Sequence, residues 1–139
     1  VAFDRRIAKL QTPNTPAVSV MFALAEQLRY IRSETMEARW ARHAALAERT
    51  WSWVDERRDE GVEACVFAEE GSRSPTVSCI ALPTGTAGPD VVEAMAERDW
   101  VIGGGYGRLE PTCIRVGHMG DHTMDELNEL LDDLADVLT

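Results

Sequence analysis

Arg115 is the residue whose type and position point most directly to chemistry. It lies between Ile114 and Val116 in a short apolar run, and alternate side chains of a β-strand point to opposite faces. An arginine inside a strand must either bind an anion or reach solvent, where it forms a surface ion pair. Its planar guanidinium group can hold a carboxylate through two hydrogen bonds. Both interpretations stay open at this point, and Arg73, just before another strand, is a similar but weaker case.

A glycine-rich run, Gly103–Gly107, follows a short apolar segment. Phosphate-binding loops have this composition, but they open a helix whose N-terminus holds the phosphate. Here Arg108, Pro111 and a further strand follow instead. The run therefore predicts a tight connection in which the backbone approaches a neighbouring group closely.

Two histidines, His118 and His122, are four residues apart. This spacing places two ligands on one face of a helix for zinc. Gly117 and Gly120 interrupt any helix here, so we expect a turn with exposed or capping histidines and no metal site. Elemental analysis would decide between the two interpretations.

Three cysteines, Cys65, Cys79 and Cys113, lie in short apolar runs typical of strands. Their number is odd and none forms a Cys-x-x-Cys pair. We expect buried, reduced thiols in a cytoplasmic protein, in preference to a metal or redox role.

The segment 12–16 joins two prolines, two hydroxyls and an amide ahead of a helix. Thr15 is predicted to cap that helix, with Pro16 at its first position. Because free backbone donors and a hydroxyl at a helix N-terminus attract anions, Thr15 could also bind one. The residues alone leave both roles open.

The elements that must position these residues follow from hydrophobic periodicity. The fold class is α/β (α+β), with a small, mainly antiparallel sheet of three to four strands and helices packed on one face. A short helical turn is expected within the lead-in, over 5–10, and Pro13 and Pro16 should end regular structure there. The further predicted elements are helices 16–33 and 35–59, strands 62–68 and 75–82, a helix over 90–99 opened by a capping box from Asp90 to Glu93, strands 100–102 and 112–116, and a last helix opened by a capping box at Thr123.

Composition limits the possible partners. The 139 residues include 24 acidic and 14 basic side chains, a net charge of -10. This balance argues against nucleic acid and anionic membranes as partners, and no apolar run approaches the roughly 20 residues of a membrane span. The chain begins without Met and contains one lysine, Lys9. We therefore expect a piece of a longer protein.

Several segments together resemble the class V aminotransferases, which are fold-type I pyridoxal-phosphate enzymes such as alanine–glyoxylate, serine–pyruvate and phosphoserine transaminases. The resemblance covers nearly the whole chain, and the segments follow the family's order and rough spacing. They are Thr12-Pro13-Asn14-Thr15-Pro16-Ala17-Val18, Glu37-Ala38-Arg39-Trp40-Ala41-Arg42-His43, Arg73-Ser74-Pro75-Thr76-Val77, Gly105-Tyr106-Gly107-Arg108-Leu109 and Arg115-Val116-Gly117-His118-Met119-Gly120.

The resemblance implies roles for individual residues. Arg115 would bind the substrate α-carboxylate, and Thr15 would reach the phosphate of pyridoxal 5'-phosphate in the neighbouring subunit of a homodimer. Thr12 stands where alanine–glyoxylate enzymes carry a tyrosine that contacts the same phosphate, so its contact is less secure. The glycine-rich turn would line the substrate entrance. The lysine that forms the Schiff base belongs to a large N-terminal domain absent from this chain, and Lys9 does not replace it.

The first hypothesis is therefore a single domain over 1–139, with a lead-in over 1–14 and an aminotransferase C-terminal small domain over 15–139. It would orient an amino acid or 2-oxo acid substrate in a full-length transaminase and be inactive alone. The sequence does not decide which branch of the family the chain resembles most, the alanine–glyoxylate, the serine–pyruvate or the phosphoserine transaminases. The alternative is a non-enzymatic α/β module that binds a small anion or a partner protein. Calorimetry on the isolated chain would separate the two, because only the module should bind a carboxylate alone.

Overall fold

The computed structural model describes residues 2–12 and 14–139, which fall into two compact units divided between Arg39 and Trp40. The first unit contains helix α1 (Ala2–Ile7) and helix α2 (Val18–Glu34). The short helix expected in the lead-in is confirmed, although it begins before Arg5. Pro13, expected to end regular structure, lies outside the described residues.

Helix α2 begins two residues later than the sequence predicts. Its cap is Ala17, with no side-chain hydrogen bond, so the prediction of Thr15 as the cap and Pro16 as the first helical residue is wrong. The reason lies in the backbone: the Val18 amide donates to the Pro16 carbonyl over 2.9 Å, and Ala17 has a non-helical ψ of 77°. Residues 16–18 therefore form an inverse γ-turn at the start of the helix.

The apolar stripe predicted for α2 is present in the sequence but contains no buried residue. Phe22 has 74% of its surface exposed, and Val18, Met21 and Leu28 are exposed as well. On its outer side, Arg29 pairs with Glu26 at 2.8 Å. Burial of its stripe within the described chain is therefore not what stabilises this helix.

Helix α3 (Met36–Asp59) is confirmed with the predicted bounds. The Thr35 hydroxyl accepts a 3.3 Å hydrogen bond from the Ala38 amide, which caps the first turn. Its predicted stripe is buried only in the second half, because Met36 and Trp40 are exposed. The buried residues of α3 are Leu46, Ala47, Thr50, Trp53 and Val54.

The sheet has four antiparallel strands in the order β1-β2-β4-β3. These are β1 (Cys65–Val66), β2 (Val77–Ala81), β3 (Gly103–Gly104) and β4 (Cys113–Gly117). The central pair, β2 with β4, sets Cys79 opposite Arg115 and Ile80 opposite Ile114. The predicted class, a small antiparallel sheet combined with helices, is confirmed.

Two predicted elements are displaced. Residues 100–102 are not a strand, and the strand is the following glycine pair, β3. The Trp100 amide still bonds to the Met95 carbonyl of the preceding helix, and its indole N–H donates to Asp133 over 2.5 Å. Because Trp100 is bonded to helix residues on both its amide and its indole N–H, pairing with the sheet begins only at Gly103.

Helix α4 (Gly88–Ala96) also begins before its predicted start, so the capping box from Asp90 to Glu93 is wrong. Pro89 occupies its first turn, and the Gly88 amide donates to the Pro111 carbonyl at 2.9 Å. A side chain on Gly88 would lie 2.6 Å from the Glu110 carbonyl oxygen. The close backbone approach therefore sets this helix start.

Helix α5 (Met124–Val137) begins at the predicted capping box, with both reciprocal bonds between Thr123 and Glu126 present. Buried side chains of α3, α4 and α5 pack with inward residues of β2 and β4 in one core. Its largest members are Trp53, Leu46, Ile80, Met95, Ile114, Leu131 and Leu134. Among the described residues, no helix combines the length and apolarity needed to cross a bilayer.

Candidate functional site

Arg115 lies in β4 on the face opposite the core. Its neighbours Ile114 and Val116 are buried, whereas Arg115 is exposed. The alternation predicted from the sequence is therefore confirmed. Because the core covers the other face of the strand, Arg115 presents its charge on the side of the sheet that stays accessible.

The Arg115 guanidinium is held at one edge by backbone. Its Nε–H donates a 2.7 Å hydrogen bond to the Gly104 carbonyl oxygen in β3. The structure gives its two terminal nitrogens no hydrogen bond or ion pair within the described ranges 2–12 and 14–139. Its terminal nitrogens each keep N–H groups that could bind a carboxylate bidentately.

The glycine-rich run makes room for this arrangement. Gly103 pairs with Arg115 across the strands, and a Cβ at Gly103 would lie 3.4 Å from both Cβ and Nε of Arg115. A Cβ at Gly105 would lie 2.1 Å from the Leu109 carbonyl oxygen, so only glycine fits there. The predicted close backbone approach is confirmed, and its partner is Arg115 itself together with the following turn.

Cys79 lies beside this site as the register partner of Arg115. Its pKa is raised to about 11 by burial and by the neighbouring Cys113, while the Arg115 charge opposes the shift. Its thiol is therefore protonated at neutral pH and is not a nucleophile. All three cysteines are free, but the expectation of burial holds only for Cys113, because Cys79 is half-buried and Cys65 is exposed.

The segment after β4 is fixed by helix α3. Arg42 donates to the Gly120 carbonyl at 3.1 Å and to the His122 carbonyl at 2.9 Å. His43 Nε2 lies 3.2 Å from the Gly120 carbonyl oxygen and donates to it. These contacts join two of the sequence segments noted above, Glu37–His43 and Arg115–Gly120. The sequence alone predicts no role for Arg42 or His43. A polar side chain on a helix does not indicate that it will bond to the backbone of a loop about 80 residues later.

His118 is fully buried, so the expectation of an exposed or capping residue is wrong for it and right only for the exposed His122. Its Nε2 lies 2.9 Å from the Ser78 hydroxyl, which accepts a 2.7 Å hydrogen bond from the Trp51 indole N–H. Burial, and next the nearby His43, lower the His118 pKa from 6.5 to about 4. The ring is therefore neutral. No group of three or more metal-ligating side chains occurs in the described part of the chain.

Ser78 is a residue that sequence reasoning missed. It occupies an inward position of β2, two residues before Ile80, and is 2% exposed. The one available signal was a hydroxyl at an inward position of an alternating strand, where a partner is obligatory.

Arg73, the weaker arginine candidate, is already engaged. Its guanidinium lies 5.4 Å from the centre of the Trp51 ring, and its Nε donates to the Ala68 carbonyl at 3.3 Å. A cation stacked on an aromatic face is a structural arrangement. The stacking on Trp51 is what distinguishes Arg73 from Arg115, which also bonds to a carbonyl through Nε.

The threonines of the lead-in differ from one another. The Thr12 hydroxyl donates a 2.6 Å hydrogen bond to the Asn14 carbonyl. Thr15 is exposed, and its hydroxyl has no partner among the described residues. Lys9 is also exposed. Thr15 is therefore the better placed of the two threonines to contact a group outside this chain.

Comparisons with known proteins point to one family. No family model matches the chain. Over 136 residues it is 30% identical to the serine–glyoxylate aminotransferase of Methylorubrum extorquens, covering 94% of this chain and 32% of that protein. It is also 30% identical over 119 residues to the small subunit of a soluble hydrogenase of Synechococcus, covering 85% and 29%.

The fold comparison agrees with the aminotransferases. The alanine–glyoxylate aminotransferase of Nostoc superposes with a TM-score of 0.80 at 29% identity, covering 92% of this chain and 33% of that one. The chain thus spans about 30% of the length of the curated relatives it matches, and the matched part is their C-terminal region. In sequence and in fold, the chain is therefore similar to the C-terminal region of class V aminotransferases.

Proposed function

We propose that this chain orients the substrate in a pyridoxal-phosphate aminotransferase, which moves an amino group between an amino acid and a 2-oxo acid. The observation that carries the proposal is the state of Arg115. Its Nε is anchored to Gly104 at 2.7 Å, while its terminal nitrogens remain available on the accessible sheet face. Both substrates of a transaminase carry an α-carboxylate, and this fork fits one.

Arg115 would act by positioning. A carboxylate held through two hydrogen bonds fixes the substrate in translation and in rotation, which lowers the entropic part of the barrier. The hydrogen bond to Gly104 and the close packing against Gly103 already restrict the Arg115 side chain to few rotamers. Less conformational entropy is therefore lost when a carboxylate binds. The chemical step itself needs groups that we place outside this chain.

The cofactor fits this chain at one point. The Thr15 hydroxyl is exposed, has no partner among the described residues and is suited to bind a phosphate oxygen. The Thr12 hydroxyl already donates a hydrogen bond to the Asn14 carbonyl. When bound, pyridoxal 5'-phosphate supplies the aldehyde and the electron-accepting ring that transamination requires. Thr15 would hold only its phosphate. We therefore propose Thr15 as the main cofactor contact and Thr12 as the weaker one.

The proposed assembly follows from that contact. In the family resemblance, Thr15 serves the neighbouring subunit, so we propose a homodimer in which residues 15–139 form the small domain behind a lead-in over 1–14. The three free thiols are compatible with a reducing, cytoplasmic location. Crosslinking of the full-length protein, followed by mass measurement, tests the dimer.

Glyoxylate is the first acceptor to test, because the names of the Methylorubrum and Nostoc relatives both include it. Full-length protein saturated with pyridoxal phosphate should convert glyoxylate to glycine with L-serine or L-alanine as the donor. Product is measured by chromatography, with a heat-inactivated sample as the blank. If no glycine forms from any of the standard amino acids, glyoxylate is not the acceptor. If no amino group is transferred to pyruvate or 2-oxoglutarate either, the proposed activity is wrong.

The competing possibility, a small-anion binding module, is tested on the same material. Calorimetric titration of this chain alone with pyruvate or acetate should give no saturable heat if Arg115 needs the rest of an active site. Saturable binding that disappears in Arg115→Ala would support the module instead.

A further inference from the structure

Cys79 lies opposite Arg115 on the accessible face of the sheet. The two residues are partners in the register of β2 against β4. Ser78 and Ile80, which flank Cys79 in β2, are buried in the core, so the Cys79 side chain points to the same side of the sheet as Arg115. Side chains directly opposite each other in an antiparallel pair have Cβ atoms about 4.5–5.5 Å apart. A polar side chain at position 79 would therefore be within reach of the guanidinium.

The guanidinium of Arg115 lies on the other side of β4, over β3. Its Nε donates to the Gly104 carbonyl oxygen at 2.7 Å, and a Cβ on Gly103 would lie 3.4 Å from Nε and 3.5 Å from Nη2. Because both contacts are with β3, the Arg115 side chain leans away from β2 and from Cys79. Arg115 keeps this rotamer as long as β3 offers a better hydrogen-bond acceptor than β2 does.

The neighbours of Arg115 within the sheet offer no competing anion. Gly103, its partner in β3, and Gly117, two positions later in β4, have no side chain. Cys113 lies two positions earlier in β4, and Cys79 is the partner in β2. The sulfur of a cysteine thiol is only a weak acceptor. Two glycines and two cysteines thus surround a cation that has no carboxylate partner among the described residues.

The surroundings of Cys79 also keep its thiol protonated. Burial, the nearby Cys113 and a hydrogen bond between the two thiols raise the Cys79 pKa to about 11, although the Arg115 charge acts in the opposite direction. A thiolate here would attract the guanidinium and occupy the nitrogens that a substrate carboxylate needs. Because the thiol carries its proton at neutral pH, no such ion pair forms.

We propose that Cys79 is a positioning residue of the Arg115 site. Its small side chain offers the guanidinium no strong acceptor on the β2 side, so Arg115 stays anchored to Gly104 with its terminal nitrogens free for the substrate carboxylate. Cys79 acts through Arg115 and needs no contact with the substrate. This role rests on the proposed function, which supplies the carboxylate.

The test varies the acceptor at position 79 in the full-length protein. Cys79→Asp and Cys79→Asn have nearly the same shape, but only the first adds a charge. Cys79→Asp should raise KM for the amino acid and the 2-oxo acid by about tenfold with little change in kcat, because its carboxylate competes for the guanidinium in the ground state. Cys79→Asn should give a smaller rise. Cys79→Val, the conservative variant without an acceptor, should retain substrate affinity.

Cys65→Asp is the matched control. It places the same carboxylate at an exposed position of β1, two strands away from β4, and KM should not change. A general effect of negative charge on the sheet would instead raise KM in both aspartate variants and overturn the assignment. Equal KM values for Cys79→Asp, Cys79→Asn and Cys79→Val in an active protein would also overturn it, while the proposed function would stand.

A second measurement does not depend on activity. A double-mutant cycle combines Cys79→Asp with Arg115→Gln and follows urea unfolding of the full-length protein. Cys79→Asp should lower the urea midpoint more when Arg115 is replaced than when it is present, because the carboxylate then lacks its partner. Additive effects would overturn the role of Cys79 even in a protein without transaminase activity. Coupled positions in a protein that transfers no amino group would overturn the proposed function, because the carboxylate contact would then have no substrate.

The test stays decisive if Cys79→Asp does not fold. Cys79→Asn then replaces it in both measurements, and a smaller effect in the same direction is expected, since an amide oxygen is a weaker partner for a cation than a carboxylate. A Cys79→Asn protein with the same KM and the same coupling as Cys79→Val would show that position 79 does not control Arg115.

Discussion

The Nε–H of Arg115 in β4 donates a 2.7 Å hydrogen bond to the carbonyl oxygen of Gly104 in β3. Two consecutive strands, 11 residues apart at this contact, are thus joined through one side chain: β4 carries the cation and β3 orients it. Because the bond uses Nε, both terminal nitrogens remain directed outward. This relationship explains why the glycine-rich run pairs with β4 as a strand and does not open a phosphate-binding helix.

Removal of the Arg115 charge should reduce catalysis without affecting folding. In the full-length enzyme, Arg115→Ala should lower kcat/KM by about 100- to 1000-fold, since one charge-assisted carboxylate contact is lost. Steady-state kinetics with the amino donor and the 2-oxo acid provide the measurement. Arg98→Ala is the matched control, because Arg98 is exposed and, within the described residues, its side chain bonds to the Ala94 carbonyl of the preceding helix. Unchanged kinetics in the Arg115 variant would remove it from the substrate site.

A side chain at Gly103 should disturb the same contact indirectly. Gly103→Val places methyl groups against Arg115 atoms that lie 3.4 Å from an ideal Cβ, so the guanidinium must move. We expect KM for the carboxylate substrates to rise by about tenfold, with kcat changing less. The reason is that Arg115 keeps its charge while its guanidinium loses the orientation that binds the carboxylate. Gly71→Ala, at a position with open space around its Cβ, should leave both constants unchanged. A Gly103→Val enzyme with wild-type KM would show that the guanidinium position is not set by β3.

Sequence periodicity was sufficient for most of the fold because each long element carries a local signal. The Thr123 capping box and the apolar face of α5 specify that helix without help from the rest of the chain, and α3 has the predicted bounds. The errors occur where tertiary contacts override local preference. Gly88 begins α4 early because its amide bonds to Pro111, a residue 23 positions later.

The candidate site was predictable in part. Arg115 could be recognised because a charge in an alternating strand must face away from the core. The buried chain Trp51–Ser78–His118 could not, since its members are 27 and 40 residues apart and histidine next to glycine suggests an exposed turn. Only the register of β2 against β4, which sequence patterns do not determine, brings them together.

Loss of the Ser78 hydroxyl should destabilise the domain. Ser78→Ala leaves the Trp51 N–H and His118 Nε2 without their shared partner in a buried position, and we expect a loss of about 1–3 kcal/mol in unfolding free energy. Urea denaturation followed by tryptophan fluorescence measures it. The control is Ser52→Ala, at an exposed position of the same helix as Trp51. Equal stability of the two variants would mean that the hydrogen-bond chain contributes nothing net.

Acid should unfold the protein partly through His118. Its pKa is lowered from 6.5 to about 4 in the folded state, first by burial and next by His43, so between those values the unfolded state binds more protons. The contribution of His118 to the unfolding free energy is therefore fully present above pH 6.5. It is lost as the pH decreases toward 4, and the loss amounts to about 3 kcal/mol. Urea midpoints measured across this range should show a steep slope for the unmodified protein and for His122→Gln, whose site is exposed. His118→Gln, which cannot titrate, should show a slope shallower by that amount. An identical slope in all three would mean that His118 is not held neutral by the fold.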